Sequence, residues 1–283
     1  SEVVMERYKE PVQMENTCVA YGCFDSIHKG HLAIAKKLVE IAKEKKINSV
    51  IVSIPKDGDV FTTEEEKEYL LKDTGVEALV TCNDLVENVL EETVIKQLGA
   101  KVVVTGEHSS ELSNIKSIAK KYNIEVVIVD SEKYEDKVIS MNMIQEAFDD
   151  CDYVKMSQLL GHPYIMLGEV VHGKALGRTV GMPTANLQVS DQKVKPLSGV
   201  YCTRVVLENE MFKAMTNIGK RPSVDTYDYK TIEAFILDFA RDIYGKKLVL
   251  EVHKFVRGVI KFNNLDEVQA QVQKDIQEVR DFL

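Results

Sequence analysis

Two hydrophobic rhythms divide the chain. Up to about residue 160, short continuous apolar runs alternate with stretches of helical period. TCVAYGCF, NSVIVSI, EALVTC, KVVVTG and EVVIVD read as strands. KGHLAIAKKLVEIAKEKK reads as a helix with Leu32, Ala35, Leu38, Val39 and Ala42 on one side. Unbroken apolar strands separated by helices predict a parallel sheet covered on both faces, doubly wound. Beyond residue 160 the helical period stops. YIMLGEVV, GVYCTRVVLEN, MFKAMTNIG, TIEAFILDF and KLVLEVHKFV follow as strands with turn residues between them, which predicts a small antiparallel barrel. One helix closes the chain. Asn264 and Glu267 have the spacing of an N-cap and its third residue, and Leu265, Val268, Val272, Ile276, Val279 and Leu283 form an apolar stripe.

Composition narrows the picture a little. The chain has 283 residues, 45% hydrophobic and 29% charged, as in an ordinary globular protein of two domains. A net charge of −9 argues against a broad nucleic-acid surface, which needs a basic footprint, but leaves room for a local anion site. No apolar run is long enough to cross a membrane, and SEVVMERYKE lacks the apolar core of a signal peptide. Five scattered cysteines with no CxxC pair are expected to be reduced thiols in a cytoplasmic protein, without a zinc site.

Two stretches carry chemistry. GCFDSIHKGH leaves a strand and enters a helix, at the carboxyl edge of the sheet where ligands bind in such folds. A helix N-terminus suits phosphate, and His28 and His31, three apart, can face the same side. The HxGH pattern alone describes two surface histidines equally well; Gly22, Phe24 and Asp25 ahead of it favour a nucleotide site. The second stretch is GRTVGMPTANL. Gly173, Gly177 and Gly181 allow backbone to approach phosphates, and Thr184 and Asn186, two apart on a strand, offer oxygen ligands suited to Mg²⁺ on one side. The alternative is a glycine-rich barrel turn. Glu233 shares a strand face with Phe235, Leu237 and Phe239; a carboxylate there needs a partner or a task, unless it reaches solvent at a strand end. His172 and His253 read as ordinary strand or surface histidines, and TTEEEKE as a solvated helix start.

FDSIHKGH resembles the nucleotidyltransferase superfamily. With GEVVHGKALGRTVGMPTANL, GVY, NIGKRPS, TIEAFILDF, YGKKL and KFVRGVIKF in order, nearly the whole chain resembles the bacterial bifunctional riboflavin kinase and FMN adenylyltransferase (FAD synthetase) family. The resemblance implies a nucleotidyltransferase-like domain over 1–157 and a six-stranded antiparallel riboflavin-kinase barrel with a C-terminal helix over 158–283. It implies transfer of the ATP γ-phosphate to riboflavin, giving FMN, then FMN adenylylation to FAD. By the same resemblance Glu233 is the general base. Thr184 and Asn186 hold Mg²⁺ and the nucleotide phosphates with Gly173, Gly177, Arg178 and Gly181. Arg257 lies in the flavin-side loop. Gly22, Phe24, Asp25, His28, His31 and Ser140 bind nucleotide in the N-terminal domain. Three departures fall there: Gln145 where the family has arginine, no Phe-Arg-Phe-Gly loop after Gly106, and no Pro-His-Pro-like segment after Ile54. They predict weak FAD formation. A flavin-sensing protein that binds FMN with little turnover is the alternative.

Overall fold

The computed structural model describes residues 3–83, 88–173, 183–221 and 229–283. By proximity the chain divides into two compact units, 1–140 and 141–283.

The first unit is a six-stranded sheet in which every neighbouring pair is parallel. Its strands are β1 (Glu6–Tyr8), β2 (Thr17–Gly22), β3 (Asn48–Ser53), β4 (Ala78–Thr81), β5 (Ala100–Gly106) and β6 (Glu125–Val129), in the order β1-β4-β3-β2-β5-β6. Alternate residues feed two separate cores, as the period of a strand requires. Cys18, Ala20, Ile51, Leu79, Val102 and Val104 pack with helix α1 (Lys29–Lys45) and with Leu71 of α2 (Glu64–Leu71). Val19, Val50, Val52, Val80 and Val103 pack with the π-helical segment Val89–Gln97 and with Ile115 of α3 (Leu112–Tyr122). The expected doubly wound layer is therefore present. The edge strand β1, three residues with one apolar side chain, gave no sequence signal. The small hairpin β7 (Lys133–Tyr134) and β8 (Lys137–Val138) completes this unit.

The second unit begins with α4 (Met141–Asp149) and α5 (Tyr153–Leu160). The boundary expected at 157/158 falls inside α5. The reason is aromatic packing: the Tyr153 ring meets Tyr164 and Tyr201 edge-on at 6.0 and 5.4 Å, and Phe148 of α4 joins them. Six strands then close a barrel: β9 (Tyr164–Val171), β10 (Ala185–Gln188), β11 (Gly199–Leu207), β12 (Glu210–Arg221), β13 (Tyr229–Ile236) and β14 (Lys247–Arg257). All pairs are antiparallel, and β9–β10 completes the ring. Inside the wall, the Thr203 and Thr216 hydroxyls satisfy each other at 2.8 Å. Helix α6 (Leu265–Phe282) starts as expected, with the Asn264 side chain accepting from Glu267 N–H at 2.9 Å. Val272, Ile276, Val279 and Leu283 pack on the outer wall, whereas Leu265 stays exposed.

Candidate active sites

In the N-terminal unit, β2 ends and the chain turns through Phe24, Ser26 and Ile27, all with positive φ (48°, 74° and 46°). A β-branched residue in that region is strained, and Ile27 is held there by complete burial. The turn delivers His28 to the N-cap of α1. Its Nδ1 accepts from Gly30 N–H at 2.9 Å, and His28 N–H donates to His31 Nδ1 at 3.2 Å. Gly30 is obligatory here, since a Cβ would lie 2.7 Å from the His28 ring. With both Nδ1 atoms accepting, each ring carries its proton on Nε2. The rings stack with centroids 3.7 Å apart, and Phe24 meets His31 edge-on at 5.3 Å. Burial pushes the His31 pKa well below the usual histidine value, helped by His28 and Lys67. The imidazole is neutral, and a neutral pair of N–H donors at a helix N-terminus suits phosphate oxygens.

Asp25, expected on the nucleotide side, is engaged with backbone. Its carboxylate accepts from the backbone N–H of Ser26, Phe61 and Thr62 at 3.0, 3.1 and 2.8 Å. It holds the turn against the entry to α2 and positions the site. The run Thr62–Glu68 also departs from expectation. Thr63 and Glu66 do form a capping box, but Glu66 and Lys67 are buried rather than solvated. Lys67 Nζ donates to the Cys23 carbonyl at 2.6 Å, Glu64 Oε1 at 2.7 Å and Ser53 Oγ at 3.1 Å. Sequence reasoning missed this residue. Its signal was there: Lys67 stands one helical turn before the core residue Leu71.

Gly22 closes β2, and its carbonyl accepts from Ile54 N–H at 2.9 Å. Ser140 is exposed. Gln145 lies on α4, its amide donating to Asp149 at 2.9 Å. Between β5 and α3 only residues 107–111 intervene, with no Phe, Tyr or Trp among them.

In the barrel, register assembles the second site. Asn186 of β10 pairs with Glu233 of β13, which pairs with Asn217 of β12. Their chain neighbours Ala234 and Thr216 are buried inside the wall, so the three polar residues form one row on its outer side. Next along that side, Phe235 and Met215 run under α6. The strand ends at Ile236, so Leu237 and Phe239 lie beyond it. Glu233 is half-buried between two carboxamide-bearing strands rather than on an apolar face. A Cβ on Gly173 would collide with the Asn186 carboxamide, so this glycine allows the close approach. Thr184 sits one residue before β10, and Gly177, Arg178 and Gly181 lie outside the described residues.

Thr184 also lines a cavity of about 500 Å³ with Pro183, Ala234, Ile236, His172 and Tyr244. His172, expected to be an ordinary strand or surface histidine, stacks on Tyr244 at 3.6 Å and 18°. His253 pairs with Glu251 at 2.9 Å. Arg257, expected in a loop, is the last residue of β14. It is fixed there because its guanidinium grips the buried Asp275 of α6 at 2.9–3.1 Å.

Residues 160–283 match the family described as riboflavin kinase, and residues 10–143 the family described as FAD synthetase. A bifunctional riboflavin kinase/FMN adenylyltransferase of Listeria monocytogenes is 29% identical over 94% of this chain and 92% of that protein. Its namesake in Bacillus subtilis is 28% identical over 94% and 92%. A crystal structure named as a macrolide-efflux protein from Streptococcus pneumoniae superposes with a TM-score of 0.83 at 28% identity, covering 98% of this chain and 99% of that one. Among the described residues, no helix of this chain is long and apolar enough to cross a membrane.

Proposed function

The chain belongs to the bifunctional riboflavin kinase/FMN adenylyltransferase family, and on that premise we propose how its two units divide the work. The barrel phosphorylates riboflavin to FMN. The observation that carries this is the row Asn186–Glu233–Asn217, because the strands that hold Asn186 and Glu233 also line, through Ala185 and Ala234, the cavity that Thr184 borders. Phosphoryl transfer needs positioning and charge neutralisation more than covalent chemistry. The cavity, with its His172–Tyr244 stack, takes the ATP base and ribose. Thr184 and Asn186, with Gly173 giving room, face the phosphates. Their hydroxyl and carboxamide oxygens are hard donors that fit Mg²⁺, which would neutralise phosphate charge when bound. Glu233 accepts the proton of the ribityl 5′-hydroxyl as that oxygen forms its bond to the γ-phosphorus and ADP leaves. Asn217 and Asn186 orient the carboxylate from either side. Arg257, pinned by Asp275, braces the flavin-side loop that follows it.

The N-terminal unit is the FAD synthetase part. FMN phosphate attacks the ATP α-phosphorus, pyrophosphate leaves, and the Nε2–H groups of His28 and His31 stabilise the charge. This step is slow in this chain. Gln145 replaces a guanidinium fork, and the loop 107–111 offers the flavin no phenylalanine, tyrosine or tryptophan ring. Ser140, Gly22 and Phe24 complete the nucleotide side. Flavins and ATP are the partners of both units, and the five free thiols suit a reducing cytoplasm.

Glu233→Gln tests the kinase reading. FMN formation should fall by roughly 10²–10⁴-fold with the barrel still folded, the usual share of a general base. A variant with near wild-type kcat would remove Glu233 from the mechanism and leave flavin binding without turnover as the better reading.

A further inference from the structure

The buried lysine on α2 has no part in the chemistry above, yet it holds the chain at the start of the turn that leads to the histidine pair. The ammonium has three hydrogens and three acceptors. These are the Cys23 carbonyl at the end of β2, Ser53 Oγ at the end of β3, and Glu64 Oε1 on its own helix. Glu64 in turn accepts from Ser53 Oγ at 3.0 Å and, from β4, from Thr81 Oγ1 at 3.4 Å. One polar cluster thus ties the carboxyl ends of three adjacent strands together. Cys23 is the last residue before the strained turn, and Asp25 within it accepts from Phe61 and Thr62 N–H. The start of α2 and the two residues before its cap therefore hold the turn at Cys23 and Asp25.

A lysine with side-chain exposure of only 3% is costly unless it is paired and has a purpose. Packing alone would be served by a leucine or methionine of similar volume. We propose that Lys67 is a positioning residue for the His28–His31 site: it fixes the turn that presents both rings and sets its charge beside the His31 ring. The proposal rests on reading that pair as the adenylyl-transfer site. His31 is faced by the stacked His28 ring, the Phe24 edge and the Lys67 charge, with Glu64 partly offsetting that charge and Asp25 in the turn. Burial, the His28 ring and the Lys67 charge act in the same direction on the ring.

The test follows the His31 ring by NMR in the full chain without substrate, assigned with a His31→Asn variant. Lys67→Met should raise the titration midpoint by roughly half a unit to one unit. Lys67→Arg should keep it near wild type. Glu64→Gln leaves the lysine a hydrogen-bond acceptor but removes the offsetting charge, so it should lower the midpoint. Opposite signs for Lys67→Met and Glu64→Gln are the signature of charge linkage; a merely architectural lysine would move both the same way or neither. In the same preparations, Lys67→Met should cut kcat for FAD formation by roughly ten- to a hundred-fold, more than it changes the KM for ATP. FMN formation should not change. Midpoints that stay put, or shift with one sign, in folded variants would overturn the proposal. Should Lys67→Met fail to fold, Lys67→Arg and Glu64→Gln decide it. Full FAD formation by His31→Ala would instead sink the adenylyl-transfer reading while leaving the measured coupling intact.

Discussion

The two candidate sites are organised in opposite ways. In the N-terminal unit nearly every polar group is already committed to another: Asp25 to three backbone amides, His28 to Gly30, His31 to His28, Lys67 to three oxygens. That site is rigid and costly, with Phe24, Ser26 and Ile27 of one turn at positive φ. In the barrel, a regular antiparallel register supplies the row Asn186–Glu233–Asn217, with no strained residue among the three. The comparison teaches that rigidity and completeness are separate properties. The strained site has its polar groups engaged with one another, yet residues 107–111 beside it in the chain hold no Phe, Tyr or Trp. The relaxed site sets a carboxylate between two carboxamides on strands that also border a cavity.

Physical separation should break the comparison most sharply. A fragment of residues 141–283 is expected to fold and form FMN on its own. One of residues 158–283 should not, because it loses Tyr153 and Met156, both about 1% exposed, and disrupts α5. Burying an aromatic or Met side chain of this kind is worth roughly 2–5 kcal/mol each, comparable to the whole stability of a small domain. Thermal unfolding and FMN assays of both fragments check this. Equal behaviour would detach α5 from the barrel.

Gly173→Ala comes next. A methyl there collides with the Asn186 carboxamide and must move it. FMN formation should fall by about a hundred-fold, the scale of a misplacement near 1 Å, with FAD formation from supplied FMN unchanged. Intact kinase kinetics would mean that Asn186 does not face the phosphates.

The smallest effect concerns pH. The His31 pKa is depressed in the folded state, so below about pH 6.5 the unfolded chain binds a proton that the native ring does not. Stability of the N-terminal unit should therefore fall as pH drops below that value, until the folded pKa is reached. His31→Asn should flatten this slope in denaturant titrations between pH 5 and 7, while the barrel's profile stays as it was. An unchanged slope would mean that the ring is not buried as the structure has it.

Much of this was legible in the sequence, for a physical reason. Period separates the parallel sheet from the barrel because buried strands and two-sided barrel strands pattern differently, and the α6 cap shows in Asn264 and Glu267. Motifs gave His28, His31, Asn186 and Glu233. What was not legible depends on distance along the chain. Lys67 lies 36 positions after His31 and is brought to it by sheet order. Asn217 reaches Glu233 through register, which no local pattern states. His172 looked ordinary until Tyr244 stacked on it, and Arg257 looked like a loop residue until Asp275 fixed it. The parting of α4 and α5 from the sheet was hidden too, since their helical pattern matches the helices before them.

One measurement reaches the centre of the account. Purified full-length protein is incubated with riboflavin, ATP and Mg²⁺, and FMN and FAD are followed together over time. FMN should accumulate first, with FAD formed at least about ten- to a hundred-fold more slowly, the cost of one lost charged phosphate contact. FAD keeping pace with FMN, and abolished by His31→Ala, would contradict the account and show that the N-terminal site is as complete as the barrel's.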